Sequence, residues 1–179
     1  MRRYTLSILQ PDAEATDVET LSLLATLVCY ERPTVIVEAG TYRGHGALYM
    51  AAALKEQDIP GHVWTADPID YGFSAFLGTH ELREYVTAHQ VTFEEMLPLI
   101  PTPIDFAFVD ASDRRPGFTA SSRLVHIAML LPLMRPGGLI MVHDTGSEPG
   151  SWAGLEAIRQ MGDINLSGPR GLTLIQVKR

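Results

Sequence analysis

Six side chains able to do acid–base or ligand chemistry stand at or just behind apolar runs. Glu38 follows "VIV", Asp67 follows "VWTA", Asp110 follows "FAFV" with Asp113 close behind it, and His143 and Asp144 follow "LIMV". Short apolar runs rich in β-branched and aromatic residues are buried strands, so these groups fall at strand ends. Carboxylates there accept charge-assisted hydrogen bonds from ammonium groups and hydroxyls, and a pair of them can hold a divalent cation. An imidazole that titrates near neutrality can serve as a general base.

The first of these ends runs into "EAGTYRGHG". Gly40, Gly44 and Gly46 allow a sharp turn, a close approach of backbone amides to a ligand, and tight packing of the helix that follows. Their spacing departs from the dinucleotide fingerprint, and the turn lacks the lysine and hydroxyl pair of a phosphate-binding loop. Glu38 at its mouth repels an anion but suits an ammonium group. Asp67, 27 residues after Gly40, is placed to accept two hydrogen bonds from a ribose diol. An adenosyl amino acid satisfies both acids.

These groups need a sheet to hold them. Thr16 and Glu19 are spaced as a capping box ahead of a helix with Val18, Leu21, Leu24, Ala25 and Val28 on one face and Pro33 just past its end. Val35–Ala39 is then a strand and Gly46–Lys55 a helix. "GHVWTADP" is a second strand, "IDYGFSAFLGTH" an aromatic and glycine-rich connection, and "ELREYVTAHQV" a short helix leading into a third strand. Thr92 and Glu95 form another capping box. "IDFAFVDAS" is a fourth strand, about 120–134 a helix, "RPGG" a turn, "LIMVHDT" a fifth strand and "WAGLEAIRQMG" a last helix. "DINLSGPRGLTLIQVKR" closes the chain as a hairpin. Alternating strands and helices predict one α/β domain over 1–179, a doubly wound, mostly parallel sheet with a C-terminal antiparallel strand. Ligands bind such sheets beyond the carboxyl ends of the strands, where strand order reverses.

Composition narrows the partners. A net charge of −7 and a pI near 5.3 leave little basic surface for nucleic acid, so a small-molecule ligand is expected. Cys29 is the single cysteine, which excludes an internal disulfide or a paired-cysteine metal site. No apolar run spans a membrane and no signal peptide is evident, so a cytoplasmic protein is expected. His45, His62, His80, His89 and His126 show no convergence in the sequence, while Tyr71, Phe73, Phe76 and Trp152 suit core or lid packing.

"VEAGTYRGHG", "WTADP", "FAFVDAS" and "RPGGLIMVHDT" together resemble, in order, the strand-end motifs of class I S-adenosylmethionine-dependent methyltransferases. The similarity is to the small O-methyltransferase branch, whose fifth strand commonly ends in His-Asp. The resemblance implies a Rossmann-like fold in which Glu38 and Gly40 line the methionine end of the cofactor, with Thr41 and Gly44 in the same turn. Asp67 would hold the ribose, Thr92 would lie near the adenine, and Asp110 would face the methyl-transfer centre. The run "DASDRRPGF" departs from the Asp-Gly-Asp-His-like run common in that branch; Asp110 and Asp113 remain as acids and the histidine is absent.

The expected reaction is O-methylation of a small hydroxylated metabolite or sugar. Two devices would supply the acceptor anion. Mg2+ or Mn2+ held by Asp110 and Asp144, with His143 or Asp113 as a further ligand, would lower a hydroxyl pKa. Alternatively, His143 would be the catalytic base, oriented by Asp110 or Asp144. N-methylation in the same pocket and a non-catalytic cofactor-binding module are the competing functions. The short N-terminal region leaves the acceptor pocket to be covered by the 68–80 connection, the 113–119 loop, "TGSEPGSW" or another subunit, so a homodimer or larger closed assembly is expected.

Overall fold

A computed structural model of the chain describes residues 15–111, 121–146, 155–166 and 170–178. The elements are α1 (Val18–Glu31), β1 (Val35–Ala39), α2 (His45–Glu56), β2 (His62–Ala66), α3 (Phe73–Thr79), β3 (Val86–His89), α4 (Phe93–Met96), β4 (Ile104–Val109), α5 (Ser121–Leu130), β5 (Met134–His143), α6 (Leu155–Met161), β6 (Ile164–Leu166) and β7 (Leu172–Gln176). Seven strands form one sheet in the order β3-β2-β1-β4-β5-β7-β6. β1 to β5 are mutually parallel, and β7 runs antiparallel to both β5 and β6. This is the expected doubly wound architecture, with the order reversing between β1 and β4.

Strand side chains alternate between faces, and the core divides accordingly. Ile36, Phe106, Phe108, Leu139 and Met141 pack with Leu21, Leu24 and Val28 of α1 and with Leu48, Ala51 and Leu54 of α2. Val37, Ala107, Val109, Ile140 and Val142 face the other way, toward Phe93, Met96, Ile127, Leu130 and Ile158. The same period carries Glu38, Asp110 and His143 onto the α1 face of the sheet. Among the described residues, no helix is long and apolar enough to cross a membrane.

Local structure departs from the sequence expectations in four places. Asp17 rather than Thr16 is the N-cap of α1, its carboxylate accepting from the Thr20 amide at 2.9 Å. Thr16 instead donates its hydroxyl to Asp110 Oδ2 at 2.8 Å. The aromatic connection after Asp67 contains α3, which buries Phe73 and Leu77 in the core. α5 stops at Leu130 rather than near Met134, because Pro132 follows two residues on and disfavours helix before it. "RPGG" belongs to β5, whose register against β4 shifts between Ile104 and Phe106 to accommodate it.

The end of the sheet opposite the site is tied down by Asp105. Its Oδ2 accepts from the Thr34 amide at 2.7 Å, the Thr34 hydroxyl at 2.8 Å and the Val35 amide at 2.9 Å. Its Oδ1 pairs with Arg135 Nε at 2.7 Å. Burial acts to raise the Asp105 carboxyl, but these amides, the Thr34 hydroxyl and the Arg135 charge hold it below its ordinary value. Asp105→Ala is expected to lower unfolding free energy by about 1.5–3 kcal/mol in urea titrations, the range for a hydrogen-bonded charge. The folded pKa is depressed, so this contribution is full above the ordinary 3.8 and fades as pH falls through the lowered value.

Candidate functional site

The glycine turn is shaped by what lies behind it. Gly40 has φ +98, and a Cβ there would stand 2.7 Å from the Asp110 carbonyl oxygen. The tips of β1 and β4 therefore meet backbone to backbone at the point where strand order reverses. Gly44 is the N-cap of α2 and lies against the Phe73 ring. At Gly46 a Cβ would fall 2.1 Å from Glu38 Oε1, so the third glycine makes room for the acid beneath the helix start.

Glu38 is accordingly buried, at 1% exposure. Its Oε2 accepts from the Thr65 hydroxyl at 2.5 Å, and Thr65 shares a 2.6 Å hydrogen bond with the Thr41 hydroxyl. Burial, reinforced by the Asp110 and Asp67 charges, pushes the carboxyl up to about 8 against the opposing Thr65 hydrogen bond. The structure thus places Glu38 under the turn, joined to it through Thr65 and Thr41.

Beyond the turn a cleft opens over the ends of β1, β2 and β3. Thr41, Tyr42, Asp67, Phe73, His89 and Gln90 are among the residues that line it. Asp67 stands at the tip of β2, accepting from the Tyr42 amide at 3.1 Å and the Ile69 amide at 2.9 Å. Two bonds fix the carboxylate in place and leave lone pairs for a ligand, since a carboxylate offers about four acceptor sites. His89 Nε2 is buried in the wall of this cleft without a hydrogen-bond partner among the described residues. Tyr42 and Tyr71 pack edge to face at its mouth, their rings 4.7 Å apart. Thr92 does not line the cleft: its hydroxyl and amide are engaged with Glu95 in the expected capping box at the start of α4. The strand tip that does reach the cleft there is His89–Gln90.

A second cluster lies at the ends of β4 and β5. His143 is fully buried, with Nδ1 2.9 Å from Asp110 Oδ1 and Nε2 3.0 Å from Asp17 Oδ2. Burial acts to lower its pKa, but the Asp110 charge and hydrogen bond, helped by Asp144, raise it. Asp110 is held below its ordinary value: burial acts to raise it, and the His143 and Arg123 charges outweigh burial. Asp144, in the left-handed backbone region at φ 57, takes a two-point contact from Arg170, Nε to Oδ1 at 2.6 Å and Nη2 to Oδ2 at 3.0 Å. Arg123, 2% exposed, places Nη2 3.3 Å from Asp144 Oδ2 and 4.0 Å from Asp110 Oδ1. Among the described residues, Asp110, His143 and Asp144 offer ligand atoms within 4.8 Å of one another. Asp113, the 113–119 loop and Trp152 lie outside the described residues.

The expected acids Asp67, Asp110 and Asp144, with His143, therefore do gather along one edge of the sheet. Sequence reasoning missed Asp17, Arg123 and Arg170 in the second cluster and gave His89 no convergence. Tyr42 and Gln90 fall in stretches that the strand-end rule points to, the glycine turn and the end of the third strand.

A profile of a methyltransferase-domain family matches residues 37–145, which run from within β1 to just past β5 and hold the cleft together with Asp110, Arg123, His143 and Asp144 of the second cluster. The chain belongs to this methyltransferase family. Among solved structures, the methyltransferase is similar to the O-methyltransferase TomG of Streptomyces achromogenes, in complex with S-adenosylmethionine. Identity is 20% over 96% of this chain and 92% of that one, with a TM-score of 0.69. A Bacillus cereus O-methyltransferase in complex with S-adenosylhomocysteine is 18% identical over 93% of this chain and 84% of that one, with a TM-score of 0.72. An rRNA methylase of Streptococcus thermophilus is 15% identical over 92% of this chain and 100% of that one, with a TM-score of 0.64. At these identities the likenesses are of fold. Comparison with curated protein sequences gives no match. With its seven-stranded order and this family membership, the methyltransferase is of the S-adenosylmethionine-dependent, Rossmann-like class.

Proposed function

We propose that the protein transfers the methyl group of S-adenosylmethionine to a hydroxyl of a small molecule, with His143 as the general base. The observation that carries this reading is the Asp110–His143 pair at the reversal of strand order, locked to the glycine turn through the Gly40–Asp110 backbone contact. The cofactor suits the cleft: Asp67 retains lone pairs for a ribose diol, His89 Nε2 is a buried atom in the wall with no partner among the described residues, and the turn admits close approach of a ligand. Bound there, the cofactor supplies an electrophilic methyl on a sulfonium.

The chain's own task is to hold and deprotonate the acceptor. Asp110 fixes the imidazole through Nδ1 and stabilises its charged form, leaving Nε2 as the working nitrogen. In this structure Asp17 occupies Nε2, and its carboxylate is the more exposed of the two flanking His143, at 32% against 11% for Asp110. The acceptor hydroxyl would take the Asp17 position and give its proton to Nε2, so that its oxygen could accept the methyl while the methyl–sulfur bond breaks to leave a neutral thioether. Displacing Asp17 also removes one of the negative charges that keep the imidazole protonated. Glu38 acts from beneath the turn, setting the start of α2.

Asp67→Ala is expected to weaken S-adenosylhomocysteine binding roughly 10- to 150-fold, or about 1.5–3 kcal/mol, as measured by calorimetry. The function itself is tested by supplying methyl-labelled S-adenosylmethionine with a panel of small alcohols, sugars, phenols and amines and locating the label by NMR. Label on oxygen, lost in His143→Ala, is the expected result. Label on nitrogen alone would overturn the reading.

A further inference from the structure

The donors expected to hold Mg2+ or Mn2+ are already engaged. Both oxygens of Asp144 are taken by the Arg170 fork, and Arg123 Nη2 approaches the same carboxylate. Both ring nitrogens of His143 face carboxylates, and Asp110 gives Oδ2 to Thr16. The position is the stronger objection. Arg123 Nη2 lies 3.3 Å from Asp144 and 4.0 Å from Asp110, so a guanidinium already bridges the two carboxylates a shared ion would use. Arg170 is anchored independently, Nη1 donating to the Ala15 carbonyl at 2.6 Å.

A guanidinium does not lose its proton in proteins, and its planar fork matches a carboxylate at two points. Its charge therefore remains beside the carboxylates throughout the working pH range. A divalent cation needs open carboxylate oxygens and would enter against two fixed like charges. Among the described residues, the donor set does not fit a metal.

We infer that Arg123 and Arg170 are the resident cations of the Asp110–His143–Asp144 cluster and that methyl transfer here proceeds without a divalent metal. The last clause rests on the function proposed above; the occupancy of the cluster does not. A chelated ion would favour acceptors with two neighbouring oxygens. With guanidiniums in its place, the site requires one hydroxyl of its acceptor, and an adjacent oxygen brings no advantage.

Mn2+ titrated into the full chain, with S-adenosylhomocysteine binding followed in the same samples, tests this. The expected result is that Mn2+ leaves the His143 imidazole resonances sharp, that its electron paramagnetic resonance signal shows no ion lost to a site abolished by Asp144→Asn, and that chelator leaves turnover unchanged. Mn2+ binding that survives Asp144→Asn lies elsewhere and is consistent with the inference. Broadening of His143 in the wild-type protein, or turnover removed by chelator and restored by Mn2+, would overturn it. Arg170→Gln supplies the converse: freeing Asp144 should raise Mn2+ affinity, and the wild-type spectra decide the matter if that variant does not fold. Failure of S-adenosylhomocysteine to bind would count against the methyl-transfer reading and leave the Mn2+ result intact.

Discussion

His143→Ala is expected to lower kcat by roughly 10²–10⁴-fold, the usual contribution of a positioned general base, while S-adenosylhomocysteine affinity stays near that of the wild type. In the proposed reaction the imidazole serves the acceptor side, and it is not among the residues that line the cleft over β1, β2 and β3. The substitution also takes the imidazole from Asp110, which keeps Thr16 and Arg123 beside it, so unfolding free energy should fall by about 1.5–3 kcal/mol, the range for a hydrogen bond to a charged group, and rates must be measured well below the melting transition. A pH series distinguishes chemistry from structure. The folded pKa of His143 is raised, so the stability from its carboxylate pairs is complete below the ordinary 6.5 and is lost as pH rises through the raised value. A base must be unprotonated, so kcat/KM should climb over that same window. Stability falling while activity rises is the signature; activity that tracks stability downward would remove His143 as the base.

Gly40→Ala is expected to damage folding and cofactor binding together. The φ of +98 costs an alanine about 1–3 kcal/mol by itself. The added Cβ also meets the Asp110 carbonyl at 2.7 Å, a backbone atom that cannot rotate away. The strand tips must separate, which displaces the turn from the cofactor and Asp110 from His143. Gly72→Ala isolates the conformational part, because Gly72 has φ +90 with nothing within 4 Å of its Cβ position. In urea titrations both variants should lose stability, Gly40→Ala the more, and in calorimetry Gly40→Ala should show the greater loss of S-adenosylhomocysteine binding. Equal losses in the two variants would mean that the Gly40–Asp110 contact does not organise the site.

The sheet was legible because its signals are local. Apolar runs such as "FAFV" and "LIMV", each ending in an acid or His-Asp, mark strand and site at once. Thr92 was half legible: its capping box with Glu95 could be read from spacing, yet that same box engages its hydroxyl and amide away from the cleft, although the family resemblance put Thr92 near the adenine. α3 was hidden because Gly72 caps and Gly78 interrupts a seven-residue helix too short to show a period, and burial of Phe73 and Leu77 holds it in place. Asp17 could not be found by reading strand ends. It precedes His143 by 126 residues and reaches it only because α1 begins at the site end of the sheet. Arg123 and Arg170 were invisible for a related reason: one lies in a helix and the other beside a turn, and neither shows in sequence which carboxylate it will meet.

The most direct test is a calorimetric titration of the purified protein with S-adenosylhomocysteine and, separately, with NAD. One adenosyl ligand per chain bound in the micromolar range, with no competition from NAD, is the predicted result. Tight binding of NAD with no heat from S-adenosylhomocysteine would contradict the assignment of the cleft over Thr41, Asp67 and His89 to the methyl donor.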